Sequence, residues 1–265
     1  EVTPFAVISD KKNNRKYPLA DYSLTPTIAI VDPAFVLTVP ASVTADTGMD
    51  VLTHAVEAYT STLANDYTDG LALQAIKLVF ENLESSVKNA DFESREKMHN
   101  ASTMAGMAFA NAFLGMSHSM AHKIGGFFHT VHGRTNAILL PYVIRYNGTR
   151  PAKAATWPKY NYYKADVKFQ DIAKMLGLPA STPEEAVDAL AKAVYDLGER
   201  VGIDMSIKGQ GVDEKEYMDT VEEIAYLAYE DQCSPANPRL PMVADMVEIL
   251  QDAYYGYKER PGRIK

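Results

Sequence analysis

Four of the six histidines in this 265-residue chain lie within one stretch of fifteen residues, where an even spread would place fewer than one. They are His118, His122, His129 and His132. Neutral imidazole is the commonest metal ligand in proteins. Upstream, Asp50 and His54 are spaced to share one face of a helix, roughly 6 Å apart along its axis. The chain must therefore fold so that separate helices bring a carboxylate and several imidazoles together, which predicts a mononuclear site for a divalent metal ion.

Composition narrows the possible function classes. The chain is 47% hydrophobic and 23% charged, which is typical of a soluble globular protein. Its net charge of −8 argues against nucleic acid or an anionic membrane surface as a partner. Cys233 is the only cysteine, which excludes a disulfide framework and favours a reducing, cytoplasmic compartment. The sequence begins at Glu1 without a methionine, and we expect it to be a fragment of a longer polypeptide.

The order of the sequence patterns predicts a mainly α protein with a short β lead-in. Val2–Ile8 and Thr27–Val31 have strand character, and Lys11–Lys16 between them is typical of a hairpin turn. Beyond about residue 41 the apolar residues recur with helical spacing. Nine helices are expected, at residues 43–62, 67–89, 94–114, 118–127, 137–146, 168–176, 182–201, 213–229 and 241–255. Gly125-Gly126 predicts a break in the fourth, and residues 148–166 a loop.

Spacing alone leaves the choice of metal ligands open. His118 and His122 are four residues apart, as in helices whose two histidines both bind zinc, so both qualify as ligands. We expect His129 to be structural or solvent-facing and His99 to lie on the surface. A set of Asp and His without a thiolate favours Fe²⁺, Zn²⁺ or Mn²⁺ over Cu(I) or an iron–sulfur cluster.

The candidate ligands lie in sequence motifs that resemble those of a known protein family. Three motifs occur in order: Asp50-x-x-x-His54, Gly115-Met-Ser-His118-x-x-x-His122 and His132-Gly-x-x-Asn136-Ala-x-x-Leu-Pro141. Together they resemble the iron-containing (group III) alcohol dehydrogenase family. Residues 27–40 and 235–241 are similar to the alcohol dehydrogenase module of bacterial bifunctional aldehyde-alcohol dehydrogenases, which extends the resemblance over nearly the whole chain.

The resemblance implies a fold and a set of site residues. Residues 41–265 would be an all-helical metal-binding domain of a dehydroquinate synthase-like fold, and residues 1–40 a remnant of an α/β dinucleotide-binding domain. The family pattern makes Asp50, His54, His118 and His132 the metal ligands. His122 would then not be a ligand but a catalytic residue near the nicotinamide and substrate, helping to relay a proton. Thr3 and Lys16 align with family positions near the cofactor.

The resemblance also implies an activity. The chain would use Fe²⁺, or Zn²⁺, together with NAD to reduce a short-chain aldehyde reversibly to its alcohol, for example acetaldehyde to ethanol. The full-length protein would carry an aldehyde dehydrogenase domain and form a homo-oligomer or filament.

Two other functions fit the same residues. A metal-dependent hydrolase or lyase would need the same ligands and a general base, and Glu57 lies one helical turn from His54. An inactive fragment that serves only in assembly is the third possibility. A requirement for nicotinamide distinguishes the dehydrogenase from the hydrolase or lyase.

Overall fold

The computed structural model describes residues 2–10, 15–151 and 163–258 of the chain. Within them lie one antiparallel hairpin and nine α-helices, so the mainly α fold class predicted from the sequence is confirmed. The strands are β1 (Phe5–Asp10) and β2 (Arg15–Ala20). The helices are α1 (Ala41–Thr60), α2 (Asp66–Lys88), α3 (Phe92–Ala112), α4 (Met116–Phe128), α5 (His132–Gly148), α6 (Ala165–Met175), α7 (Pro183–Arg200), α8 (Glu214–Tyr229) and α9 (Val243–Tyr255).

Helix α1 lies at the centre of the packing. Fourteen of its twenty residues are buried, so it is enclosed on nearly all sides rather than along one stripe. It packs against α2, α3 and α5. Four alanines of α3 are fully or almost fully buried, and their small side chains permit close packing of neighbouring helices: Ala101, Ala105, Ala108 and Ala112.

Helix α5 connects this centre to the rest of the bundle. It contacts α1, α4, α7 and α9. Helix α6 packs on α7, α8 packs on α9, and α4 packs on both α5 and α8. No helix in the described ranges combines the length and the apolar content needed to span a membrane.

The break predicted at Gly125-Gly126 is wrong. Helix α4 continues to Phe128 and ends at His129, whose φ of 55° is left-handed. A left-handed residue is a common helix stop, whereas an interior glycine costs only about 1 kcal/mol relative to alanine. The packing of α4 against two other helices outweighs that cost. Helix α5 also begins earlier than predicted, at His132.

The second predicted strand is wrong as well. Residues 27–31 have no strand partner in the described parts of the chain, and β1 pairs instead with β2 in a register that sets Phe5 opposite Ala20. The charged start of β2 concealed it, because Arg15 and Lys16 have the composition of a turn. Pro18 is tolerated there because both strands of a two-stranded sheet are edges. Residues 11–14 of the predicted turn, and 152–162 of the predicted loop, lie outside the described residues.

A close approach between α1 and α5 positions the residues discussed below. A Cβ atom on Gly133 would lie 2.3 Å from the carbonyl oxygen of Asp46 and 3.0 Å from Cβ of Asp50. Only glycine permits this contact. Next to it, Arg134 donates from Nε and Nη2 to the two carboxylate oxygens of Asp46, at 2.8 and 3.0 Å. The first turn of α5 is thereby held beside the middle of α1.

We predict that Gly133→Ala destabilises the protein by about 1–3 kcal/mol, because the added methyl group would overlap α1. The free energy of unfolding in urea measures this. Gly70→Ala is the matched control, since Gly70 is exposed on α2 and a Cβ there would meet no atom within 4 Å. The control should gain about 0.5–1 kcal/mol from helix propensity. Equal stability of the two variants would contradict the close approach.

Candidate metal centre

The four residues that the resemblance marks as ligands come together from three helices. Asp50 and His54 project from one face of α1, His118 from the first turn of α4, and His132 from the start of α5. Potential ligand atoms of Asp50, His54 and His118 lie within 4.8 Å of one another. Oδ1 of Asp50 is 3.7 Å from Nε2 of His118 and 3.8 Å from Nε2 of His132. The Asp50 carboxylate therefore lies among the imidazoles.

The electrostatics of this group favour an ionised carboxylate. Burial by itself would raise the pKa of Asp50. The imidazoles of His54, His132 and His118 and a hydrogen bond from Asn136 outweigh that effect, so the pKa lies below its usual value. An ionised carboxylate is the form that binds a divalent cation.

His118 is oriented by a buried carboxylate. Its Nδ1 lies 2.6 Å from Oε2 of Glu57, and Oε1 of Glu57 accepts the backbone N–H of Ser117 at 2.7 Å. Burial raises the pKa of Glu57 to about 7, against the opposing effect of the Ser117 and Gly115 backbone N–H groups. A carboxylate behind a ligating histidine fixes its tautomer and ring orientation. With Nδ1–H donating to this carboxylate, the lone pair of His118 lies on Nε2.

The sequence contained a signal for this role of Glu57. Asp50, His54 and Glu57 recur at helical spacing and so share one face of α1. The sequence predicts Glu57 only as a candidate general base, and its contact with His118 is found in the structure.

Nε2 of His118 provides a test of whether these residues fit a metal ion. The atom is buried and has no hydrogen-bond partner in the described structure. A buried polar atom left unsatisfied costs about 1–3 kcal/mol, and native proteins contain few of them. Burial also holds the pKa of His118 well below its ordinary value, so the ring is neutral and can bind a cation. One carboxylate oxygen and three imidazole nitrogens fit Fe²⁺ or Zn²⁺.

His122 has different partners. Its Nδ1 lies 3.2 Å from Oδ2 of Asp231, and its ring stacks on that of His132 with centroids 5.3 Å apart. It belongs to a separate group of potential ligands, with Asp231 and Cys233. Asp231 was missed in the sequence because it is 109 residues away and no motif joins it to His122.

The remaining site residues named from the sequence lie outside the ligand group. His129 is exposed at the end of α4, and His99 is half-buried on α3. Thr3 lies against Gly106 of α3. Lys16 lies in β2, and its side chain is outside the described part of the structure. The cofactor contacts of Thr3 and Lys16 stay predictions.

Two asparagines hold the helix starts in place. Nδ2 of Asn136 donates to Oδ1 of Asp50 at 2.8 Å and lies 3.2 Å from Nε2 of His132. Oδ1 of Asn237 accepts the N–H of Met116 at 3.2 Å. A Cβ on Gly115 would lie 2.7 Å from that same Asn237 oxygen, so glycine is needed where α4 begins.

Comparison with known proteins places the chain in a family. Residues 44–254 match the C-terminal part of the Fe-containing alcohol dehydrogenase family. The chain belongs to this family. The resemblance inferred from the motifs is thereby confirmed.

Individual relatives agree with the family match. The aldehyde-alcohol dehydrogenase of Streptococcus pneumoniae serotype 2 (strain D39) is 82% identical over the whole of this chain, which spans 30% of that protein. The crystal structure of a 1,3-propanediol oxidoreductase has a TM-score of 0.85 and 34% identity, covering 95% of this chain and 62% of that one. Sulfoacetaldehyde reductase from Bifidobacterium kashiwanohense, solved with NAD⁺, has a TM-score of 0.77 and 28% identity, with coverages of 95% and 60%.

We predict that Glu57→Gln weakens metal binding by about 10- to 100-fold, since the amide lacks the charge that orients His118 and supports its basicity. Competition with a chelator measures the affinity. Glu248→Gln, on the exposed side of α9, is the control and should bind metal as the wild type does. Unchanged affinity in Glu57→Gln would disprove the orienting role.

Proposed function

We propose that this chain is the metal-binding catalytic part of an NAD-linked alcohol dehydrogenase, which reduces a short-chain aldehyde such as acetaldehyde reversibly to its alcohol. The observation that carries the proposal is the convergence of one carboxylate and three imidazoles around an unsatisfied buried nitrogen of His118. Membership of the Fe-containing alcohol dehydrogenase family supports it.

Asp50, His54, His118 and His132 would hold Fe²⁺, or Zn²⁺ in its place. When bound, such a cation supplies a Lewis acid that polarises a carbonyl oxygen and stabilises the negative charge of the alcohol oxygen. The chain itself contributes by orienting the ligand side chains. Glu57 fixes the ring of His118, and the packing of α5 on α1 keeps His132 beside Asp50. The preorganised dipoles and charges then need little rearrangement during reaction.

Hydride chemistry would come from NAD, with Thr3, Lys16 and His122 as the proposed contacts. The relative solved with NAD⁺ supports this cofactor.

We further propose that residues 1–40 belong to the cofactor domain and residues 41–265 to the helical metal domain. Since the chain spans 30% of an aldehyde-alcohol dehydrogenase, the full-length protein would also carry an aldehyde dehydrogenase part and assemble into a homo-oligomer or filament. The free thiol of Cys233 fits a reducing, cytoplasmic location.

His122 is the proposed proton relay. Aldehyde reduction consumes one proton along with the hydride, and an imidazole can deliver it near neutral pH. Asp231 holds Nδ1 of His122, which leaves Nε2 as the atom that passes the proton. The side chain is 30% exposed, so it can exchange protons with solvent.

The hydrolase or lyase alternative loses its candidate base in the structure. Glu57 is 3% exposed, and both of its oxygens are occupied, one by the N–H of Ser117 and the other by Nδ1 of His118. Acting as a general base would disturb both of these contacts. Of the two enzymatic functions, the geometry therefore supports the dehydrogenase better.

We predict opposite metal contents for two histidine variants. His132→Ala should lose the metal because one of its four ligands is gone, as should Asp50→Ala. His122→Ala should keep about one Fe or Zn per chain while turnover of the full-length protein falls about 100-fold or more, the usual loss for a proton-transfer group. Metal analysis by mass spectrometry on protein purified without oxygen or chelator, together with NADH oxidation, measures both. Loss of metal from His122→Ala would overturn the ligand assignment.

A further inference from the structure

We infer that His122, Asp231 and Cys233 form a second transition-metal site, separate from the Asp50 group, which takes Zn²⁺ or a similar thiol-binding divalent cation. Their potential ligand atoms lie within 4.8 Å of one another. The three residues supply one nitrogen, one oxygen and one sulfur. Thiolate and imidazole select Zn²⁺ over Mg²⁺ or Ca²⁺, whereas the Asp50 group contains no sulfur.

The geometry needs only a small adjustment to close around an ion. Tetrahedral zinc with bonds of about 2.0–2.3 Å has its ligand atoms roughly 3.3–3.8 Å apart. Nδ1 of His122 and Oδ2 of Asp231 are already 3.2 Å apart. Cys233 is placed by its own backbone, since its N–H donates to Oδ1 of Asp231 at 3.0 Å. Asp231 and Cys233 lie in the connection between α8 and α9, and the potential ligand atoms of the three residues need to approach by only about 1 Å to reach this spacing.

An ion can reach this cluster from solvent, but it must compete with a lysine for Asp231. Asp231 and Cys233 are buried, but the His122 side chain is 30% exposed and gives an ion a route in. Nζ of Lys123 lies 2.8 Å from Oδ2 of Asp231. An entering cation must displace this ammonium group, whose side chain is 28% exposed and can turn outwards to water. Binding also releases the Cys233 thiol proton to solvent, so that thiolate and carboxylate together neutralise the dication.

Occupation of this site would remove His122 from proton transfer, a consequence that rests on the proposed function. Coordination through Nδ1 leaves the ring proton on Nε2, and the ring then has no lone pair for a second proton. Excess zinc would therefore inhibit turnover through the second site.

Cobalt provides a direct test of the site. Metal-free protein is titrated with Co²⁺ while absorption is recorded, because a sulfur ligand adds an intense charge-transfer band in the near ultraviolet. Cys233 is the only cysteine of the 265-residue chain, so when this chain is titrated the band can arise only at the second site. We expect the band in wild type and also in Asp50→Ala, which lacks the first site. Absence of the band from folded wild-type protein at saturating Co²⁺ would overturn the proposal.

Variants identify the other two ligands. Asp231→Asn and His122→Gln should each weaken the cobalt affinity reported by the band by about tenfold or more. Lys123→Met should strengthen it, since the competing ammonium group is removed. His99→Gln, a histidine outside both groups, is the matched control and should titrate as wild type. A band unchanged in both ligand variants would show that the cysteine binds alone, which also overturns the site.

Zinc inhibition separates this inference from the proposed function. In the full-length enzyme, excess Zn²⁺ should lower the rate of NADH oxidation at least tenfold in wild type and much less in Cys233→Ser, each compared with its own rate without added zinc. An active wild type that zinc does not inhibit would overturn the link to His122. A protein with no dehydrogenase activity would speak against the proposed function, while the cobalt titration, which needs no turnover, still decides whether the second site exists.

Discussion

A helix enclosed by the core carries ionisable side chains, and the surrounding structure is arranged to accommodate them. Asp50, His54 and Glu57 lie on one face of α1, and burial of such groups is costly unless each finds a partner. Helix α4 supplies His118 and a backbone N–H to Glu57, and α5 supplies Asn136 to Asp50. The packing partners of α1 must therefore be chemically as well as sterically complementary to it. Within the described residues, this pairing leaves the buried Nε2 of His118 unsatisfied, and a cation fits there.

Small residues make this complementarity possible. Gly133 lets the first turn of α5 touch the backbone of α1, and Gly115 lets the start of α4 meet both Glu57 and Asn237. The connection after α8 then contacts α4 through Asn237 at Met116, through Ser234 at Ser119 and through Asp231 at His122. The same short segment thus supports the end of α4 that carries His118 and sets the orientation of the proposed proton relay.

The helices could be predicted well from the sequence, because their apolar periodicity agrees with the packing that they adopt. Predictions failed where a local signal competed with a distant partner. Gly125-Gly126 does not break α4, since helix packing outweighs a modest propensity cost. Residues 27–31 have strand composition, but β1 pairs with the charged segment that begins at Arg15. A strand is defined by its partner, and composition alone does not name that partner.

The sequence by itself determined the family and the mainly helical fold. The family resemblance also singled out Asp50, His54, His118 and His132. Both were possible because helical spacing and flanking glycines are properties of neighbouring residues. Helical spacing could not divide the roles of His118 and His122, which are equally spaced candidates on one helix. The tertiary structure gives the two rings different partners: Glu57 lies behind His118, and Asp231, 109 residues away, lies beside His122. Hydrogen bonds over such separations depend on how the helices pack, and no local pattern encodes them.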